Sequence, residues 1–122
     1  MDTILLVDDS YLVTNFINSI LKKKYNIFIA NDGAKAIEFL QNPGNVVIKC
    51  CLLDLHMPNV NGYEFLEYLK SNAYFSKFPV IVISGSSVEA KISSYPVSAI
   101  VPKPFNEKDI QKIISKTIDK FY

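Results

Sequence analysis

Five short apolar runs without polar alternation constrain this chain most: ILLV at 4–7, NIFIA at 26–30, VVIKCCLL at 46–53, FPVIVIS at 78–84 and the weaker SAIV at 98–101. A strand with one face in water alternates apolar and polar residues. Runs rich in Val and Ile throughout belong to strands covered on both faces, as in parallel sheets. Between the runs, apolar residues recur at helical spacing. Residues 10–24 carry Leu12, Val13, Phe16, Ile17, Ile20 and Leu21, with Ser10 as a cap and Lys22, Lys23 and Lys24 at the end that favours cations. Residues 33–42 carry Ala36, Ile37 and Leu40 and stop at Asn42-Pro43-Gly44; residues 62–71 carry Tyr63, Phe65, Leu66 and Leu69. Residues 106–121 carry Ile110, Ile113, Ile114, Thr117 and Phe121, whereas 87–95 make the weakest helix, with little apolar spacing before the breaker Pro96.

Strands alternating with helices through short connections predict an α/β fold: a doubly wound five-stranded parallel sheet with five helices, in a three-layer sandwich. The 122 residues suffice for one domain, 1–122, around one core. With 49% hydrophobic and 20% charged residues the composition is that of a soluble globular protein, and the net charge of +1 argues neither for nor against an acidic partner. No run of about 20 apolar residues could span a membrane. The start, MDTILLVDD, puts an acid where a secretion signal carries a base, so a cytoplasmic protein is expected. Cys50 and Cys51 are adjacent inside an apolar run, which suits core filling in a reducing compartment better than a disulfide or a metal pair.

In doubly wound sheets the functional crevice lies beyond the carboxyl ends of the strands. The residues there are Asp8 and Asp9, Asp54, Ser84 and Lys103; the strand at 26–30 ends in Ala30-Asn31 and adds no comparable group. Alone, Asp54 could be a helix cap or a turn residue. Three carboxylates brought together repel one another and need a cation. Carboxylates with water and a backbone carbonyl suit a hard octahedral ion such as Mg²⁺, with Mn²⁺ as an alternative. A lysine and a hydroxyl opposite them suit a phosphoryl group. A carboxylate can itself be the nucleophile in phosphoryl transfer, so the edge predicts aspartyl phosphorylation with Asp54 as acceptor. Lys108, Lys112, Lys116 and Lys120 recur every four residues along the last helix and read as a solvated face; without aromatic interleaving they make no nucleic-acid surface.

The ordered set DD at 8–9, D-L-x-M-P at 54–58 with N-G at 61–62, IS-G at 83–85 and K-P-F at 103–105 resembles the receiver domain of two-component response regulators, over essentially the whole chain. The resemblance implies the sheet order 2-1-3-4-5. It implies Asp54 as phosphoacceptor, Asp9 and Asp54 as direct Mg²⁺ ligands, Asp8 acting mainly through metal-bound water, and the backbone carbonyl of His56 as a further ligand. Ser84 takes the switch position and Lys103 pairs with the phosphoryl group, aimed inward by a cis bond before Pro104. The His56 side chain would modulate hydrolysis. The implied partners are a histidine kinase or histidine phosphotransfer protein as donor, and a downstream protein or an output domain outside these residues. Neither nucleic acid nor membrane is contacted directly, and the chemistry is slow self-catalysed transfer and autodephosphorylation rather than enzyme turnover.

The chain departs from the family at three places. Ile100 stands where a Tyr or Phe usually reports phosphorylation, Pro96-Val97 replaces Gly-Ala, and the segment between Ser84 and Lys103 is short around the fourth helix. These changes spare the phosphorylation chemistry and predict a smaller shift or a different moving element. The alternative is a pseudo-receiver that docks without being phosphorylated. A haloacid dehalogenase would need D-x-D where this chain has DDS, and a flavodoxin-like cofactor binder would need Ser, Thr and Gly where the paired aspartates repel phosphate.

Overall fold

The five apolar runs become five parallel strands in a computed structural model that describes residues 1–55, 61–85 and 90–122. They are β1 Thr3–Val7, β2 Asn26–Ala30, β3 Ile48–Asp54, β4 Val80–Ser84 and β5 Ala99–Pro102. Their order across the sheet is β2-β1-β3-β4-β5. The helices are α1 Tyr11–Leu21, α2 Gly33–Gln41, α3 Gly62–Ser71 and α4 Glu107–Phe121. The expected five helices are corrected to four α-helices among the described residues. Where the weakest helix was expected, Ala90–Ser94 form a 3₁₀ turn, and residues 86–89 lie outside the described ones. Pro96 disfavours the α region at the residue before it, which limits Ala90–Ser94 to a short turn.

The absence of polar alternation has a direct cause. Leu5, Val7, Cys51, Leu53 and Val82 pack against Ala36 and Leu40 of α2 and Phe65, Leu66 and Leu69 of α3. Their neighbours Ile4, Leu6, Cys50, Leu52 and Ile83 pack on the opposite face against Ile17 and Leu21 of α1 and Ile110 and Ile114 of α4. Cys50 and Cys51 therefore fall in different layers. Burial pushes the Cys50 thiol up to about 12 and raises Cys51 as well, so both are inert core residues.

Two expectations of the pattern fail at the surface. The buried residues of α1 are Thr14, Ile17 and Leu21, while Leu12 is 83% exposed and Phe16 is exposed too. Likewise β2, an edge strand, leaves Phe28 and Ile29 exposed, Phe28 stacking on Phe39 of α2 with ring centroids 3.9 Å apart.

One irregularity sets the register of the central strands. Thr3 pairs with Ile48 but Ile4 pairs with Cys50, so Lys49 is an inserted residue in β3. The Tyr122 hydroxyl donates to the Lys49 carbonyl at 2.9 Å, and the Lys49 ammonium lies 3.8 Å from the Tyr122 ring centroid. Beyond this insertion Val7 pairs with Leu53. Asp8 thus comes level with Asp54.

Candidate functional site

The aligned strand ends assemble the site. Asp54 is the last residue of β3 and pairs with Ile83, and Ser84, the last residue of β4, pairs with Pro102. One residue further, the Lys103 N–H donates to the Ser84 carbonyl at 2.8 Å, and the Lys103-Pro104 bond is cis, as the resemblance implies. On the other side of Asp54, the Asp8 N–H donates to the Ala30 carbonyl at 3.1 Å, extending the β1–β2 ladder to the site. Carboxylate oxygens of Asp8, Asp9 and Asp54 all lie within 4.8 Å of one another.

Gly62, whose N–H donates to the Leu55 carbonyl at 2.9 Å, starts α3 directly against the end of β3. A Cβ there would lie 2.3 Å from the Leu55 Cα, so only glycine permits this approach. Asn61 caps α3 in a reciprocal box with Glu64. The Asn61-Gly62 pair therefore has a physical reason, close passage of backbone beside Asp54 and Leu55.

The electrostatics are unbalanced. Asp8, at 1% exposure, and Asp54, at 5%, are buried, as is Ser84, while Asp9 is exposed. The Ser10 N–H donates to Asp8 Oδ1 at 2.9 Å, but among the described residues no donor reaches Asp8 Oδ2. Burial, opposed by the Ser10 N–H and reinforced by the charge of Asp54, raises the Asp8 pKa from 3.8 to about 6. The Lys103 ammonium, 3.7 Å from Asp54 Oδ2, is one positive charge against three carboxylates. An oxygen-only donor set with an unsatisfied buried oxygen and two uncompensated charges fits a hard divalent cation.

Comparison with known proteins resolves what the geometry leaves open, because residues 4–115 match the model of the response regulator receiver domain. The chain belongs to that family. Chemotaxis protein CheV1 of Helicobacter pylori is 35% identical to this receiver over 124 residues, covering 95% of the chain and 38% of that protein. The transcriptional regulatory protein CpxR of Escherichia coli K12 is 31% identical over 114 residues, 90% of the chain and 46% of that protein. The receiver thus spans less than half the length of either relative. Among solved structures, chemotaxis protein CheY4 of Vibrio cholerae superposes with a TM-score of 0.83 at 21% identity, covering 96% of this chain and 98% of its own. Response regulator TrrA of Thermotoga maritima, solved with Mg²⁺-BeF, gives 0.80 at 24% identity, with 96% and 99% covered. These two similarities establish the CheY-like fold.

The structure brings together Asp8, Asp9, Asp54, Ser84 and Lys103, all named from the sequence. His56, whose carbonyl and side chain the resemblance assigns to the site, lies outside the described residues. Ile100 sits on β5 at 39% exposure, with neither ring nor hydroxyl to report on the site. Sequence reasoning missed that Tyr11 and Leu12, more than 80% exposed, and Phe16, also exposed, leave apolar surface on α1. Tyr11 lines the same cavity as Asp8 and Asp9, and the Phe16 ring lies 6.1 Å from that of Phe105. The signal available was an excess of apolar residues at the start of α1 beyond what one buried stripe can use.

Proposed function

We propose that this receiver is a phosphorylation-dependent switch in which Asp54 accepts a phosphoryl group from a phosphohistidine of a histidine kinase or phosphotransfer protein. The reading is carried by one observation: Asp54 lies between two carboxylates and the Lys103 ammonium, buried yet at the end of its strand. An Asp54 carboxylate oxygen attacks phosphorus, the P–N bond to the donor imidazole breaks, and the imidazole leaves with its electron pair. Lys103 and the Ser84 hydroxyl supply charge and a hydrogen bond to the equatorial oxygens. Mg²⁺, held by Asp9 and Asp54, through water by Asp8, and by the His56 carbonyl that the resemblance implies, would neutralise charge developing on those oxygens. The Mg²⁺-BeF complex of TrrA supports that assignment.

The exposed Tyr11, Leu12 and Phe16 of α1 support a macromolecular donor, since they offer apolar surface on the helix whose Tyr11 lines a cavity with Asp8 and Asp9. Among the described residues no helix is long and apolar enough to cross a membrane, and we place the exchange in the cytoplasm. The modified receiver changes its binding to a downstream protein or output domain and performs no other catalysis. Incubation with acetyl phosphate and Mg²⁺ followed by intact mass tests this. One added phosphoryl, lost in Asp54→Asn, is expected; no adduct and no Mg²⁺ binding would favour a docking module.

A further inference from the structure

The crossover from β4 to β5 carries a contact that the phosphoryl chemistry does not use. Residues 85–98 contain a single aromatic residue, Tyr95, just after the Ala90–Ser94 turn. Its hydroxyl donates to Glu67 Oε2 of α3 at 3.0 Å, and Lys70, one turn along the same helix, places its ammonium 5.7 Å from the Tyr95 ring centroid. The ring packs against the core cluster beneath α3, as do Tyr63 and Val97, and Ile92 is buried in that cluster. Burial and the adjacent Glu67 carboxylate raise the phenol pKa, which keeps it a donor.

We propose that Tyr95 latches this crossover onto α3 in the resting receiver and that the latch opposes modification of Asp54. The inference rests on the reading of Asp54 as phosphoacceptor. When Asp54 is modified, the Ser84 hydroxyl must follow the phosphoryl group to bond one of its oxygens, and the end of β4 moves with it. The chain that follows Ser84 leads through Gly85, beside the Lys103 side chain, into the crossover. A contact that fixes the far end of the crossover on α3 restrains that movement. A contact made in only one of two states biases the population toward that state, so its removal favours the other. Ile100, exposed on β5, supplies no competing aromatic contact. The moving element is therefore the part of the crossover around Tyr95, with Glu67 and Lys70 as its seat.

Wild type, Tyr95→Phe, Glu67→Gln and the double variant would be treated with acetyl phosphate and Mg²⁺ and followed by intact mass. Tyr95→Phe keeps the ring and removes only the donor. Each single variant should be modified roughly threefold to tenfold faster than wild type, with the double variant no faster than the singles. Equal rates in all four would overturn the latch and leave the phosphoacceptor reading standing. Amide exchange across residues 90–98 supplies a readout that needs no adduct. It should accelerate equally in both single variants, and in wild type on adding Mg²⁺ and beryllofluoride. Unchanged exchange in the variants would overturn the latch whether or not any protein is phosphorylated, whereas a missing adduct on every protein overturns the acceptor reading alone.

Discussion

Lys103 is tied to Asp54 by its side chain and to Ser84 by its backbone: its Nζ lies 3.7 Å from Asp54 Oδ2 and its N–H donates to the Ser84 carbonyl at 2.8 Å. One residue thus joins the ends of β3 and β4 from its place after β5. Lys103→Met keeps much of the stem and removes the charge. Phosphorylation by acetyl phosphate should slow by about tenfold to a hundredfold, because the equatorial oxygens lose a preorganised cation. A rate within twofold of wild type, measured by intact mass, would refute this role.

Asp8 makes the metal-free fold sensitive to pH. Its folded pKa of about 6 lies above the ordinary 3.8, so the protonated folded state is favoured. This contribution is fully present below about pH 4 and is lost as pH rises through 6, leaving a cost of roughly 3 kcal/mol at neutral pH. Without metal, Asp8→Asn should therefore stabilise the protein near pH 7.5 and do so about threefold less near pH 4.5. Mg²⁺ should stabilise wild type more at pH 7.5 than at pH 5 in urea unfolding. Equal Mg²⁺ effects at the two pH values would contradict the assignment.

Two glycines should respond differently to alanine. Gly62→Ala drives a methyl group into the Leu55 backbone and should cost about 3 kcal/mol or more, lowering Mg²⁺ affinity as the end of β3 shifts. Gly44, at φ +62°, has open space around its missing Cβ, so Gly44→Ala should cost only about 1 kcal/mol, through the left-handed backbone. Urea midpoints rank the two, and comparable losses would refute the close approach.

Leu12 separates stability from docking. Because it is exposed, Leu12→Ser should change unfolding free energy by no more than about 0.5 kcal/mol. Transfer from a phosphohistidine donor protein should nevertheless slow several-fold more than transfer from acetyl phosphate. Parallel slowing with both donors would remove α1 from the docking surface.

Much of this receiver was legible along the chain because its causes are local. Unbroken apolar runs such as ILLV and FPVIVIS demand cover on both faces, and that demand alone leads to a parallel sheet between helices. Ser10, read as a cap, does cap the helix that follows it, through a contact spanning three residues. The strand-end residues Asp8, Asp9, Asp54, Ser84 and Lys103 could be named for the same reason, since each stands where an apolar run stops.

What only the tertiary structure decided depends on pairing between distant segments. The extra residue at Lys49 brings Asp54 rather than Leu53 level with Asp8, and its carbonyl is satisfied by Tyr122, 73 residues away. Helical spacing nominated Leu12 and Phe16 for the core, yet the angle at which α1 lies on the sheet buries Thr14 instead. The sequence also cannot show that Asp8 is stripped of water while Asp9 is left in it. Two adjacent aspartates look alike along the chain until the fold buries one and leaves the other exposed, with both carboxylates still within 4.8 Å of that of Asp54.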